Sequence, residues 1–210
     1  MIFKICGLKD VESLNCCEEN NVDFFGMIFY QKSPRNITLN EAENLIRACK
    51  GLRIRPVGVF VDHKINDLKK IISSLGLKNI QLHGSEDQQY IDEIKKKFDV
   101  KIIKKISINN SEDLNIINKF NNIEYLLFDY KPANNELPGG NSKSFDWNLL
   151  KGQKIKLPWF ISGGINETNI KKIQNLLNPN GIDLSSGVEV SKGIKSNSKI
   201  NNLFKKFYDN

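Results

Sequence analysis

Residues 158–189 constrain this chain more than any other stretch. Two short apolar runs, 159–162 and 181–185, each end in small residues: Ser162-Gly163-Gly164 after the first, Ser185-Ser186-Gly187 after the second. Between them Ile170, Ile173, Leu176 and Leu177 recur at helical spacing, with Asn166 as the N-cap. The segment therefore reads strand, glycine turn, helix, strand, glycine turn. Glycine lets the backbone take positive φ and approach a ligand closely. Amide groups exposed at such turns, beside a helix N-terminus, form an anion site. Two such turns side by side make a phosphate cup from Gly163, Gly164, Ser186 and Gly187; the alternative is a pair of plain turns. In a (β/α)8 barrel the cup follows the seventh and eighth strands, so six strand–helix units must precede it.

Six such units can be read. Strand patterns at 2–6, 24–29, 54–60, 79–83, 101–106 and 124–129 alternate with helical patterns. The first helix starts near Asp10. Thr38 with Glu41, and Ser85 with Gln88, read as capping boxes opening the second and fourth. The third shows Ile65, Leu68, Ile72 and Leu75 on one face, and the fifth follows Ser111. A long loop at 130–144 precedes a short helix at 145–150, and a last helix carries Ile200, Leu203, Phe204 and Phe207. Eight alternations of about 25 residues imply parallel βαβ units. An open doubly wound sheet is the structural alternative, but closure suits eight units in 210 residues better. No GxGxxG follows the first strand, which argues against a dinucleotide fold. The expected fold is α/β: a single (β/α)8 TIM barrel with a closed parallel sheet, residues 1–210 forming one domain.

Bulk properties narrow the partners. No apolar run approaches ~18 residues, so no membrane span is expected. The opening MIFKICGLKD reads as a strand without a leader's apolar region, which points to the cytoplasm. Cys6, Cys16, Cys17 and Cys49 give neither a CxxC pair nor a His/Cys ligand set, so reduced thiols and no metal site are expected. The net charge of +7 is spread over many helices and interleaved with Asp and Glu. That pattern argues against nucleic acid and suits a small anionic substrate. Monomer and homodimer both remain open.

Barrel chemistry sits at the C-terminal ends of the strands. Strand 1 ends in Cys6, strand 4 in His83 and strand 6 in Asp129, and Arg35 lies in the loop after strand 2. Cys6 reads either as a small buried hydrophobe or as a reactive thiol. Asp129 is a turn residue or an acid, His83 a structural histidine or a base, and Arg35 a solvated surface residue or an anion ligand.

KICG (4–7), SPR (33–35), VGVF (57–60), QLHG (81–84), FD (128–129), FDW (145–147), SGGI (162–165) and DLSSGVE (183–189) occur in this order. Together they resemble the phosphoribosylanthranilate isomerase family of tryptophan biosynthesis, from strand 1 to the last helix. KICG and DLSSGVE are the specific pieces. Two places depart from the family. Its lid usually reads Gly-Gly-Thr-Gly or Gly-Gly-Ser-Gly, where Gly139-Gly140 here continue as Asn141-Ser142. After strand 8 it usually has Pro-Gly followed by Lys-Asp, where Lys192-Gly193 here precede Lys195-Ser196.

The resemblance implies an Amadori rearrangement of N-(5-phosphoribosyl)anthranilate to the 1-deoxyribulose 5-phosphate derivative, with no redox cofactor and no metal. A general acid serves the furanose ring oxygen and a general base takes the C2 proton of the resulting imine. The family's acid corresponds to Asp129 and its base to Cys6. Arg35 corresponds to the residue holding the anthranilate carboxylate, and His83 and Gly140 complete the substrate-binding set. Cys6 would need a pKa below the usual ~8.5, and Asp129 one above the usual ~3.9. A related barrel synthase, such as indole-glycerol-phosphate synthase, uses catalytic lysines and an N-terminal extension, whereas this sequence opens on strand 1. A non-catalytic phosphosugar-binding barrel would need neither Cys6 nor Asp129.

Lys4 shares a strand face with Cys6, because side chains alternate along a strand. If Cys6 faces the barrel mouth, Lys4 lies one layer deeper and needs a carboxylate. Strand 8 closes against strand 1 and carries Asp183, so a Lys4–Asp183 ion pair is expected inside the barrel.

Overall fold

The computed structural model describes residues 1–133 and 136–209. Eight parallel strands pair in chain order: β1 (Ile2–Cys6), β2 (Phe24–Ile28), β3 (Arg55–Phe60), β4 (Asn79–Leu82), β5 (Lys101–Ile108), β6 (Tyr125–Tyr130), β7 (Trp159–Ile161) and β8 (Gly181–Leu184). β8 returns to pair with β1, Lys4 standing opposite Asp183, so the sheet closes and the open-sheet alternative is excluded. The outer layer holds α1 (Val11–Glu19), α2 (Leu39–Ala48), α3 (Ile65–Leu75), α4 (Gln88–Lys97), α5 (Ile170–Leu176) and α6 (Asn197–Tyr208). After β5 and β6 the connections are 3₁₀ segments, Ser111–Lys119 and Trp147–Leu150.

Strand alternation sorts the apolar residues into two sets. Cys6, Phe24, Val57, Val59, Ile103, Leu127 and Phe160 cluster inside the barrel. Their strand neighbours, such as Phe3, Phe25 and Phe128, pack outward into the main core under the helices. Phe3 meets Phe204 and Phe207 of α6 edge-on, each at 4.8 Å, contacts worth about 1 kcal/mol apiece beyond their burial.

Local signals explain most helix starts. Asp10 accepts from Ser13 N–H at 2.7 Å. The Thr38–Glu41 box forms as read: Glu41 Oε2 accepts from Thr38 N–H at 2.7 Å and Thr38 Oγ1 accepts from Glu41 N–H at 3.3 Å. The Ser85–Gln88 box does not form. Ser85 donates its amide and hydroxyl to Asp62 Oδ1, and Asp87 caps α4 by accepting from Tyr90 N–H at 2.9 Å. Asn166 likewise caps an earlier turn, accepting from Thr168 N–H at 2.9 Å, and α5 begins after Asn169. A short hairpin, β9 (Glu189–Ser191) and β10 (Ile194–Lys195), had no counterpart in the sequence reading. Of the loop at 130–144, residues 134 and 135 lie outside the described residues.

Candidate active site

The strand ends open into a cleft of about 790 Å³. Cys6, Arg35, His83, Asp129, Gly140, Gly163, Gly164 and Ser186 line it together. Gly187 stands behind this wall, packed so closely on the Ile165 carbonyl that a Cβ would collide with it. Among the described residues no group of three His, Cys, Asp or Glu is arranged to hold a metal.

Asp129 ends β6 in an enclosed setting. Its Oδ1 accepts from Tyr130 N–H at 2.8 Å, and its Oδ2 lies 3.6 Å from His83 Nε2. Burial pushes its pKa up to about 6, against the downward pull of the Lys105 ammonium. Burial acts on His83 in the opposite sense. Its pKa falls well below the usual imidazole value, helped by Lys105 and Lys4, so the ring is neutral. Gln81 Nε2 donates to His83 Nδ1 at 2.7 Å, which leaves the proton on Nε2, towards Asp129.

Cys6 ends β1 opposite Gly26, where a Cβ would fall 2.8 Å from the thiol sulfur. The space for the Cys6 side chain is thus left by its cross-strand partner. One layer deeper, Lys4 Nζ pairs with Asp183 Oδ1 at 2.8 Å, the expected ion pair. Burial alone would lower the Lys4 pKa. Asp183 and Cys6 together outweigh burial, and the pKa ends above its ordinary value. The lowered pKa that Cys6 would need as a resting base is not found. Burial raises the pKa, outweighing the opposing pull of Lys4 and Lys195.

Arg35 is buried rather than solvated. It is 2% exposed, and its Nε and one terminal nitrogen donate to Glu189 Oε1 and Oε2, both at 2.7 Å. Lys195 Nζ donates to Glu189 Oε1 at 2.8 Å and to the Ser185 carbonyl at 3.2 Å. A three-residue network therefore pins the hairpin against the loop after β2.

The loop after β6 covers the other rim. Gly139 packs against His83 Nε2 and Gly140 against the Arg35 guanidinium, approaches that only residues without Cβ allow. Asn141 Nδ2 donates to the Leu137 carbonyl at 2.8 Å, and Ser142 takes φ +56° in the left-handed region. On the far side, Ser162 N–H makes the last ladder bond of β7 to Phe128 at 2.8 Å. Gly163 and Gly164 then turn at φ +90° and +66°. Ser186 opens a 3₁₀ turn, Ser186–Val188.

Four residues here escaped the sequence reading: Gln81, Lys105, Glu189 and Lys195. The period-two alternation that located Lys4 would also have turned Lys105 inward. Glu189 closes the DLSSGVE motif, but its partner is 154 positions away.

A closed parallel barrel with titratable side chains gathered at its C-terminal mouth is the architecture of a (β/α)8-barrel enzyme. A family model described as N-(5'phosphoribosyl)anthranilate (PRA) isomerase matches residues 3–206. A curated N-(5'-phosphoribosyl)anthranilate isomerase of Zymomonas mobilis subsp. mobilis is 40% identical over 199 residues, covering 94% of this chain and 93% of the relative. The solved phosphoribosyl anthranilate isomerase of Thermotoga maritima is 28% identical over 98% of each chain, with a TM-score of 0.87. A further solved phosphoribosyl anthranilate isomerase, in complex with reduced 1-(o-carboxyphenylamino)-1-deoxyribulose 5-phosphate, is 26% identical over 98% of each chain, with a TM-score of 0.85. The chain belongs to the N-(5'-phosphoribosyl)anthranilate isomerase family and is an isomerase of tryptophan biosynthesis.

Proposed function

We propose that Asp129 and Cys6 are the general acid and general base that convert N-(5'-phosphoribosyl)anthranilate to 1-(2-carboxyphenylamino)-1-deoxyribulose 5-phosphate. The carrying observation is Asp129 itself: a buried carboxyl with pKa about 6, in the same cleft as the Cys6 thiol. Protonated Asp129 gives its proton to the furanose ring oxygen as the C1–O bond breaks. The anthranilate nitrogen lone pair closes a cationic C1=N bond. Cys6 thiolate then takes the C2 proton, and that electron pair forms the C1=C2 bond of an enolamine. Return of a proton to C1 and loss of the enol proton give the ketose.

The raised Cys6 pKa fits this order. The resting thiol is protonated, and the iminium formed beside it favours the thiolate; the thiol proton passes across the cleft to Asp129, a carboxylate once it has protonated the ring oxygen. A thiolate generated against burial is also the stronger base.

The anthranilate carboxylate is assigned to the edge of Arg35 that Glu189 leaves open, with His83 and the Gly140 backbone alongside. The phosphate is assigned to the turns at Gly163-Gly164 and Ser186-Gly187. Positive φ at both glycines and the 3₁₀ start at Ser186 support that assignment. A cytoplasmic location belongs to this reading, supported by free thiols at Cys6, Cys16, Cys17 and Cys49. The deciding experiment supplies phosphoribosylanthranilate to the purified protein and follows loss of its anthranilate fluorescence. A rate no greater than the spontaneous one would refute the reading.

A further inference from the structure

Strand β5 turns two kinds of lysine away from water. Lys104 faces the helix layer and pairs with Glu86 at 2.7 Å. Lys105 faces the barrel interior, two residues beyond the interior residue Ile103. It is 6% exposed, and among the described residues it forms no ion pair. Its Nζ instead donates to the Pro138 carbonyl at 3.0 Å. A buried ammonium with a neutral acceptor is costly, and an apolar side chain would fill the space at less cost. Packing therefore does not account for a lysine at this position.

The acceptor does. Pro138 immediately precedes Gly139 and Gly140, the residues that rest on His83 and Arg35. From outside the loop, Arg35 also donates to the Gly140 carbonyl, at a long 3.3 Å; the shorter bonds are internal to it. Asn141 Nδ2 donates to the Leu137 carbonyl, and Lys143 pairs with Glu136. These bonds shape the loop and would travel with it if it lifted. The Lys105 bond crosses from the loop to the barrel wall.

We propose that Lys105 is a positioning residue of the isomerase site: its ammonium latches the Pro138 carbonyl and so holds Gly139-Gly140 closed over His83 and Arg35. The effect on turnover rests on the acid–base reading above; the effect on the loop does not.

Lys105→Met keeps the aliphatic stem and removes the donor. Amide hydrogen exchange across residues 136–143 should accelerate on the order of tenfold, the scale of one charge-assisted hydrogen bond, while the barrel strands keep their protection. Below pH 6, where Asp129 keeps its proton with or without the Lys105 charge, KM for phosphoribosylanthranilate should rise by a similar factor, with kcat changing less than about threefold. Lys105→Ala should show the same loop exchange and be slowed again by propylammonium, but not by tetramethylammonium at equal ionic strength. Loop exchange in Lys105→Met matching the parent overturns the proposal, as does a fall in kcat with KM unchanged. If Lys105→Met is unstable, the alanine variant decides, and failure of propylammonium to slow its loop exchange overturns the latch. A parent protein that exchanges as expected but does not turn over the substrate sinks the acid–base reading and leaves the latch standing.

Discussion

The two sides of the barrel mouth carry buried charge in different ways. On the β1/β8 side every buried ion has a close counter-ion: Lys4 with Asp183 at 2.8 Å, Arg35 with Glu189 at 2.7 Å, Lys195 with Glu189 at 2.8 Å. On the β4/β5/β6 side, His83, Lys105 and Asp129 are slightly less enclosed, His83 and Asp129 stand 3.6 Å apart and Lys105 donates to a carbonyl. The first arrangement fixes positions; burial still raises the Asp183 pKa and lowers that of Lys195, against the pull of their partners. In the second, burial is not offset, so the Lys105 and His83 pKa values fall and the Asp129 pKa rises. Paired ions hold a substrate in place; groups with displaced pKa values move protons near neutral pH. Cys6 lies on the seam, with Lys4 one layer beneath it.

The largest effect should come from the proposed acid and base. Asp129→Asn and Cys6→Ala should each lower kcat by on the order of 10²–10⁴-fold with KM little changed. In the parent, kcat/KM should fall as pH rises through about 6, because the acid must carry its proton. Stability should fall over the same rise in pH. A carboxyl whose folded pKa lies above its unfolded value contributes fully below the unfolded value, and that contribution is lost as pH climbs from about 4 to about 6. At pH 8 the buried carboxylate then costs on the order of 3 kcal/mol. Asp129→Asn should therefore have a higher urea midpoint than the parent at pH 8, an advantage that shrinks on acidification. Near-normal turnover, or a urea midpoint lowered at pH 8, would remove the distinction between the two sides.

On the paired side the expected loss is of stability. Lys4→Met or Asp183→Asn should each cost about 3–5 kcal/mol, since each strands the other charge inside the barrel. The double variant Lys4→Met/Asp183→Leu should recover much of that, because well-packed apolar pairs replace buried ion pairs at little net cost. Urea unfolding of the parent, both singles and the double closes the cycle. If the double variant proves no more stable than the worse single, the pair is not what the β1/β8 side depends on.

The sequence carried the fold well for a physical reason. Strand and helix periodicities are local, and eight alternations leave few ways to close. The Lys4–Asp183 pair was readable because alternation and barrel closure together fix one cross-strand neighbour. The Arg35–Glu189–Lys195 network was not, since it joins a loop to a hairpin that no periodicity announces. The Ser85–Gln88 box failed because Asp62, on another unit, competes for Ser85. The direction of the Cys6 shift was hidden for a third reason: Lys4 lowers it and burial raises it, and only the enclosed geometry shows which is larger.

The smallest effect concerns Ser196, where the family usually has aspartate. Ser196 is the N-cap of α6 and accepts from Lys199 N–H at 3.3 Å. Serine and aspartate do the same work at this position, so the departure leaves the helix start intact. Ser196→Ala should lower stability by about 1 kcal/mol through loss of that cap. Ser196→Asp should raise it by a few tenths of a kcal/mol at low salt, because a negative charge favours a helix N-terminus. Neither should alter kcat/KM. Lys195, next in the chain, is held by Glu189 and the Ser185 carbonyl independently of the cap. Thermal unfolding and steady-state kinetics of the two variants check both statements. A fall in kcat/KM of more than about threefold in Ser196→Ala would show that fraying of α6 reaches Arg35 through Glu189. The paired side would then be a transmitter of strain rather than the rigid half of the site.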